Sequence, residues 1–167
     1  MKKFVTAAVL AASVSVGGVG IGTLNVEAAG PAADAFLAPS VRPAIRRAAR
    51  IVTMERVYGS NYRIYKARYP RALDWDNNGC SVPFSVPITD FYRGVFQKSC
   101  DRHDFGYRNH GKSGYDRLSV DNRFKSNMQY QCVVRYDDPW DLPARALCYV
   151  AADKFYDAVR LFGGGSW

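Results

Sequence analysis

The stretch CDRHDFGYRNH, residues 100–110, holds both histidines of the chain and places an aspartate directly after the first of them. On a helix, Cys100, His103, Tyr107 and His110 share one narrow face, at i, i+3, i+7 and i+10. Asp104 lies about 100° round from His103, so the imidazole and the next carboxylate point into neighbouring compartments and cannot form a tight pair. His103 therefore needs another group to orient it.

The following helical stretch, residues 116–136, offers one. Leu118, Asp121, Phe124, Met128 and Cys132 form an apolar stripe with a single carboxylate in it, and a buried acid is costly unless paired. His103 stands roughly 10 Å from the end of its helix and Asp121 roughly 7.5 Å from the start of the next. If residues 111–115 fold the two helices back antiparallel, the two side chains come level. The alternative is an Asp121 that caps or decorates the helix end in solvent.

A His–Asp pair admits three chemistries. A Ser–His–Asp hydrolase needs a nucleophilic serine, and no G-x-S-x-G elbow exists here, although other serine contexts stay open. A zinc hydrolase needs two or three nitrogen or sulfur ligands, which His110 and bridged cysteines do not supply. The third is His103 as general base for a water, with a cation for the electrostatics. Asp104, rotated away from the base, suits that cation. Calcium takes such oxygen-only sites, and Trp75-Asp76-Asn77-Asn78-Gly79-Cys80 is a turn rich in oxygen donors. By itself such a turn is a weak signal.

Farther out, Met1-Lys2-Lys3 and the uncharged run over residues 4–24 read as a secretory signal cleaved after Ala28, with an uncleaved membrane anchor as the alternative. Its removal takes Lys2, Lys3 and Glu27 and leaves 139 residues with 21 basic and 14 acidic side chains, net +7. That is one domain. The four cysteines, Cys80, Cys100, Cys132 and Cys148, are widely spaced and contain no CxxC, which favours two disulfides over zinc but leaves three pairings open. The positive balance points to anionic partners without choosing among lipid headgroups, nucleic acid and wall polymers.

Residues 29–40 read as an irregular lead-in. Residues 43–58 read as a basic amphipathic helix stopped by Gly59, with Ile45, Ala48, Ala49 and Val52 on one side and Arg42, Arg46, Arg47 and Arg50 over the other. Such a helix either lies on an anionic membrane or docks on the core. Residues 70–99, with Pro70, Pro83 and Pro87, read as a structured loop region. Helices are expected over about 99–110, 116–136 and 143–162, with no strand alternation and a flexible tail over 163–167. The fold class is all-α: a small disulfide-linked helical bundle. The expected organisation is a signal peptide (1–28), a lead-in and basic helix (29–59, in part a candidate propeptide), a main domain (60–162) and the tail.

The run Cys100-x-x-His103-Asp104-Phe105-Gly106-Tyr107-Arg108-Asn109 resembles the active-site helix of the secreted phospholipases A2, in particular the small bacterial and fungal branch. The animal enzymes share the looser C-x-x-H-D-x-x-Y. The resemblance runs from about Leu73 to Phe162. It implies two antiparallel catalytic helices with a calcium-binding loop, with His103 as the base that activates water and Asp121 as the carboxylate that orients it. Asp104, Asn78 and the Gly79 carbonyl would hold Ca²⁺, and the disulfides would pair Cys80–Cys100 and Cys132–Cys148.

The implied reaction is Ca²⁺-assisted hydrolysis of the sn-2 ester of glycerophospholipids in membranes or micelles, by a secreted, extracellular, monomeric enzyme with no nucleic-acid partner. Phe105, Phe124 and Met128 are rough candidates to line an acyl channel, although such residues are more often plain core. Two departures stand out: Asn78 replaces an aspartate of several bacterial members, which weakens calcium binding, and the spacing from His103 to Asp121 is a couple of residues short. A non-catalytic basic membrane-binding protein on the same scaffold is the main alternative, and a one-metal nuclease a third. The intact set His103, Asp104 and Asp121 argues against the first of these, and the lack of a His/Asn metal cluster against the nuclease.

Overall fold

A computed structural model describes residues 41–81 and 87–167; the proposed signal, its cleavage point and the lead-in over 29–40 lie outside them. Six α-helices follow in order: α1 (Arg42–Thr53), α2 (Asn61–Arg68), α3 (Pro87–Arg108), α4 (His110–Ser113), α5 (Arg117–Arg135) and α6 (Leu142–Phe162). Short 3-10 turns over Pro139–Asp141 and Gly163–Ser166 flank α6, and no strand occurs among the described residues. The all-α expectation holds.

The helix that carries His103 is longer than its local pattern predicts. It begins at Pro87, well inside the expected loop region, because a proline is tolerated in the first turn, where the N–H has no partner to lose. Tyr92, Phe96, Ser99, Cys100 and His103 then recur on its buried side. α2 was not expected, and it buries none of its residues. It starts because the buried Glu55 carboxylate accepts the free N–H groups of Asn61 (2.6 Å) and Tyr62 (2.8 Å), replacing the missing cap. α1 ends at Thr53, short of the expected Tyr58, so Gly59 is no helix stop. A Cβ at Gly59 would overlap the Glu55 side chain, which accounts for the glycine.

α3 is the central element, with a core on either side. Toward α5 and α6 it packs Tyr92, Phe96 and Cys100 against Phe124, Met128, Cys132, Ala151, Ala152 and Phe155. Away from them, Phe105 packs with Trp75, Leu73 and the apolar face of α1: Ile45, Ala48, Ala49 and Val52. The glycine of the motif permits this sandwich. A Cβ on Gly106 would stand 2.7 Å from Val120 of α5 and 3.2 Å from Thr53 of α1. Leu118, expected in the α5 stripe, is instead half exposed, and Val120 takes the buried position. The disulfides Cys80–Cys100 and Cys132–Cys148 tie the turn before α3 to α3, and α5 to α6.

Candidate active site

His103 lies on the buried side of α3, facing α5. Its Nε2 is 2.8 Å from Oδ1 of Asp121, so the antiparallel return through residues 109–116 does bring the two level. Asp121 is fully buried. Besides His103, its Oδ1 accepts the Tyr107 hydroxyl at 2.8 Å, and its Oδ2 accepts Nη1 of Arg160 at 2.6 Å. Burial alone would raise this carboxyl, but the donors His103, Arg160 and Tyr107 outweigh it and hold the group below the ordinary carboxylate range. Burial pushes the Tyr107 hydroxyl up to about 12, so it stays a donor.

A carboxylate that accepts from Nε2 requires the proton on that nitrogen. Nδ1 is then the unprotonated nitrogen, with a lone pair to offer. The rings of Tyr107 and Phe124, at 4.3 and 4.5 Å, hold the imidazole plane.

In front of His103 opens a cavity of about 380 Å³. Its lining combines polar groups (Asn78, His103, Asp104) with apolar ones (Phe124, Phe155, Val159). Of the three aromatic or sulfur side chains considered for an acyl channel, only Phe124 reaches this cavity. Phe105 and Met128 are fully buried core.

Asp104 faces the turn over residues 76–81. Its Oδ2 accepts the backbone N–H groups of Asn78 (2.9 Å) and Gly79 (3.1 Å). Gly79 has φ +68°, a left-handed conformation that suits glycine. Burial raises the Asp104 carboxyl, against the lowering pull of those N–H groups and of His103 and Arg108. The residues lining this side of the cavity offer hard oxygens: the Asp104 carboxylate, the Asn78 amide and the Gly79 carbonyl, which also accepts the Ser81 N–H at 2.8 Å. Among the described residues no cluster of three acidic, histidine or cysteine side chains could hold a metal, so an ion here would rest largely on amide and backbone oxygens. That set fits calcium and does not fit zinc.

Several contributors were not legible beforehand. Arg160 comes from the last turn of α6, far along the chain. Arg117 lies 3.6 Å from Asp121 Oδ2 at i,i+4, a spacing visible in the sequence, and donates to the Tyr107 hydroxyl at 3.1 Å. Asn109 is buried and accepts from the Asp74 N–H (3.0 Å) while donating to the carbonyl of Asp74 (2.7 Å), so it moors the segment before the turn to α3. His110 does not stay on the His103 face. The helix breaks at Asn109, and His110 opens the four-residue α4, exposed. The tail, expected to be flexible, forms a 3-10 turn that brings Gly163 and Ser166 to the cavity and packs Trp167 on His110 and Tyr107.

The family described as Prokaryotic phospholipase A2 matches residues 55–163, which carries the resemblance upstream of Leu73 and leaves α1 outside it. A "Secretory phospholipase A2" of Beauveria bassiana (strain ARSEF 2860) is 35% identical over 103 residues, covering 57% of this chain. The chain spans about half the length of that curated relative, 46% of it. The match takes in the turn, α3, α5 and all of α6, and so His103, Asp104, Asp121 and Arg160: the chain belongs to the prokaryotic phospholipase A2 family.

Proposed function

We propose that the protein is a secreted, calcium-dependent phospholipase A2 that hydrolyses the sn-2 ester of glycerophospholipids to a free fatty acid and a lysophospholipid. The observation that carries this reading is the 2.8 Å contact between His103 Nε2 and the anionic Asp121, which leaves Nδ1 as the base. Nδ1 takes a proton from water, and the resulting hydroxide attacks the ester carbonyl. His103, now an imidazolium held by Asp121, returns the proton to the departing glyceryl oxygen. Asp104, Asn78 and the Gly79 carbonyl would hold calcium, which supplies positive charge to the ester oxygen and the phosphate. The apolar lining of the cavity, Phe124, Phe155 and Val159, suits an acyl chain. Leu161 and Phe162, at the end of α6, are exposed apolar side chains suited to a lipid surface.

Secretion is supported by the leader-like residues 1–28, by the two disulfides and by the printed name of the relative. No helix among the described residues is long and apolar enough to cross a membrane. We read α1 as part of the working enzyme rather than a removable propeptide, because its apolar face covers Phe105 directly behind the catalytic helix.

The test is fatty-acid release from mixed phospholipid vesicles, with millimolar calcium and with chelator, beside His103→Ala. Release that needs both calcium and His103, with lysophospholipid carrying the sn-1 chain, is the expected result. Vesicle binding with no release at any calcium level would sink the enzymatic reading and leave a membrane-binding protein.

A further inference from the structure

We propose that Arg160 is a positioning residue for His103, acting through Asp121, and that Arg117 in turn holds Arg160 in place. The inference rests on the hydrolase reading above and assigns roles to two side chains that reading does not use.

The two oxygens of Asp121 are divided between partners. Oδ1 accepts from His103 and Tyr107, each at 2.8 Å; Oδ2 accepts from Arg160 at 2.6 Å. The Asp121 side chain is fully buried, so its orientation is set by these donors. With Oδ2 tethered, the carboxylate cannot turn about its Cβ–Cγ bond, and Oδ1 stays on Nε2 of His103. That in turn fixes the ring, and with it the line along which Nδ1 faces the cavity.

Arg117 and Arg160 form a reciprocal latch between the start of α5 and the end of α6. Arg160 reaches from α6 to a carboxylate of α5. Arg117 reaches from α5 to α6, where its Nη2 donates to the carbonyls of Val159 (2.7 Å) and Arg160 (2.6 Å). These carbonyls belong to the last turn of α6, so Arg117 grips the end of that helix; the Val159 carbonyl also accepts the N–H of Gly163. The same Arg117 donates through Nε to the Tyr107 hydroxyl, the other partner of Oδ1. Every donor on Asp121 other than His103 is thus held by Arg117 or is close to it. The Arg160 side chain is about a third exposed, so replacing it opens no core cavity. A purely structural ion pair would affect stability alone, whereas a positioning residue affects turnover.

The experiment compares wild type with Arg160→Gln, Arg160→Lys, Arg117→Gln and the Arg117→Gln/Arg160→Gln double variant. It reads kcat and KM on mixed vesicles, the thermal midpoint, and the low-field proton NMR signal of His103 Nε2–H, identified by its loss in Asp121→Asn. Expected for Arg160→Gln is a drop in kcat of about a hundredfold, with KM little changed and the Nε2–H signal lost or displaced. Arg160→Lys recovers most of both. The double variant is scarcely worse than Arg160→Gln alone, because the two arginines act as one unit. Should Arg160→Gln fail to fold, the same readouts on Arg117→Gln decide the point.

Turnover near wild type together with an unmoved Nε2–H signal in Arg160→Gln overturns the assignment. Wild type active with Arg160→Gln equally active fails this inference only. Wild type inactive on all vesicles fails the hydrolase reading, and a signal that still depends on Arg160 then upholds the positioning.

Discussion

Asp121 and Asp104 stand on two sides of His103 and are satisfied in different ways. Asp121 is buried and takes hydrogen bonds from an imidazole, a phenol and a guanidinium, and it sits below the ordinary carboxylate range. Asp104 is partly exposed, takes two backbone N–H groups on one oxygen, and is raised by its burial. One side is completed by the protein's own donors and can orient a base without help. The other offers one carboxylate beside the turn, held by two backbone N–H groups, and it is the side on which the proposed calcium would act.

The comparison is broken most severely on the Asp121 side. Asp121→Asn should lower kcat about 10⁴-fold, because an amide can turn its NH₂ toward the imidazole and favour the wrong tautomer; fatty-acid release at saturating lipid measures it. Asp104→Asn should cost less, about 10²–10³-fold, the loss of one electrostatic stabiliser. Calcium should raise the thermal midpoint of wild type and leave that of Asp104→Asn unmoved. Replacing Cys80 and Cys100 by serine opens a link of sequence separation 20 and should cost about 3 kcal/mol of stability. It loosens the turn that faces Asp104, so calcium binding should weaken while the His103–Asp121 contact survives, as titration calorimetry and the Nε2–H signal would report.

The smallest effect is the dependence of stability on pH, where the two acids have opposite signs. Asp121 is depressed on folding, so its contribution is present above the unfolded value of about 3.9 and is lost as pH falls through the lower folded value. Asp104 is raised, so its contribution is present below that unfolded value and is lost as pH rises through the higher folded one. In metal-free buffer near neutrality, Asp104→Asn should therefore melt slightly higher than wild type. Equal or lower melting would mean that Asp104 is not short of positive charge.

Much of this site was legible because its parts lie on two neighbouring helices. The spacing of Cys100, His103 and Tyr107 described a face, and a lone acid in the α5 stripe needed a partner. The stripe misplaced Leu118 because, near the first turn of α5, it read exposure from periodicity alone, and Val120 packs on Gly106 instead. The start of α3 was hidden by prolines that count as breakers in a window but stand harmlessly at a helix start. α2 carries no apolar face at all, so periodicity had nothing to detect; its cue is Glu55, whose carboxylate takes its N–H groups.

By itself the sequence determined an all-α chain, the motif helix, the pairing of His103 with Asp121 and the oxygen-rich turn, since each depends on residues close together or on one helical face. The tertiary structure decided which donors complete Asp121, which of the apolar candidates reach the cavity, and that the tail and α1 pack against the helix that carries His103. These are contacts between distant segments. They are selected by how α3 is gripped between α1 on one side and α5 and α6 on the other, and no local pattern encodes that choice.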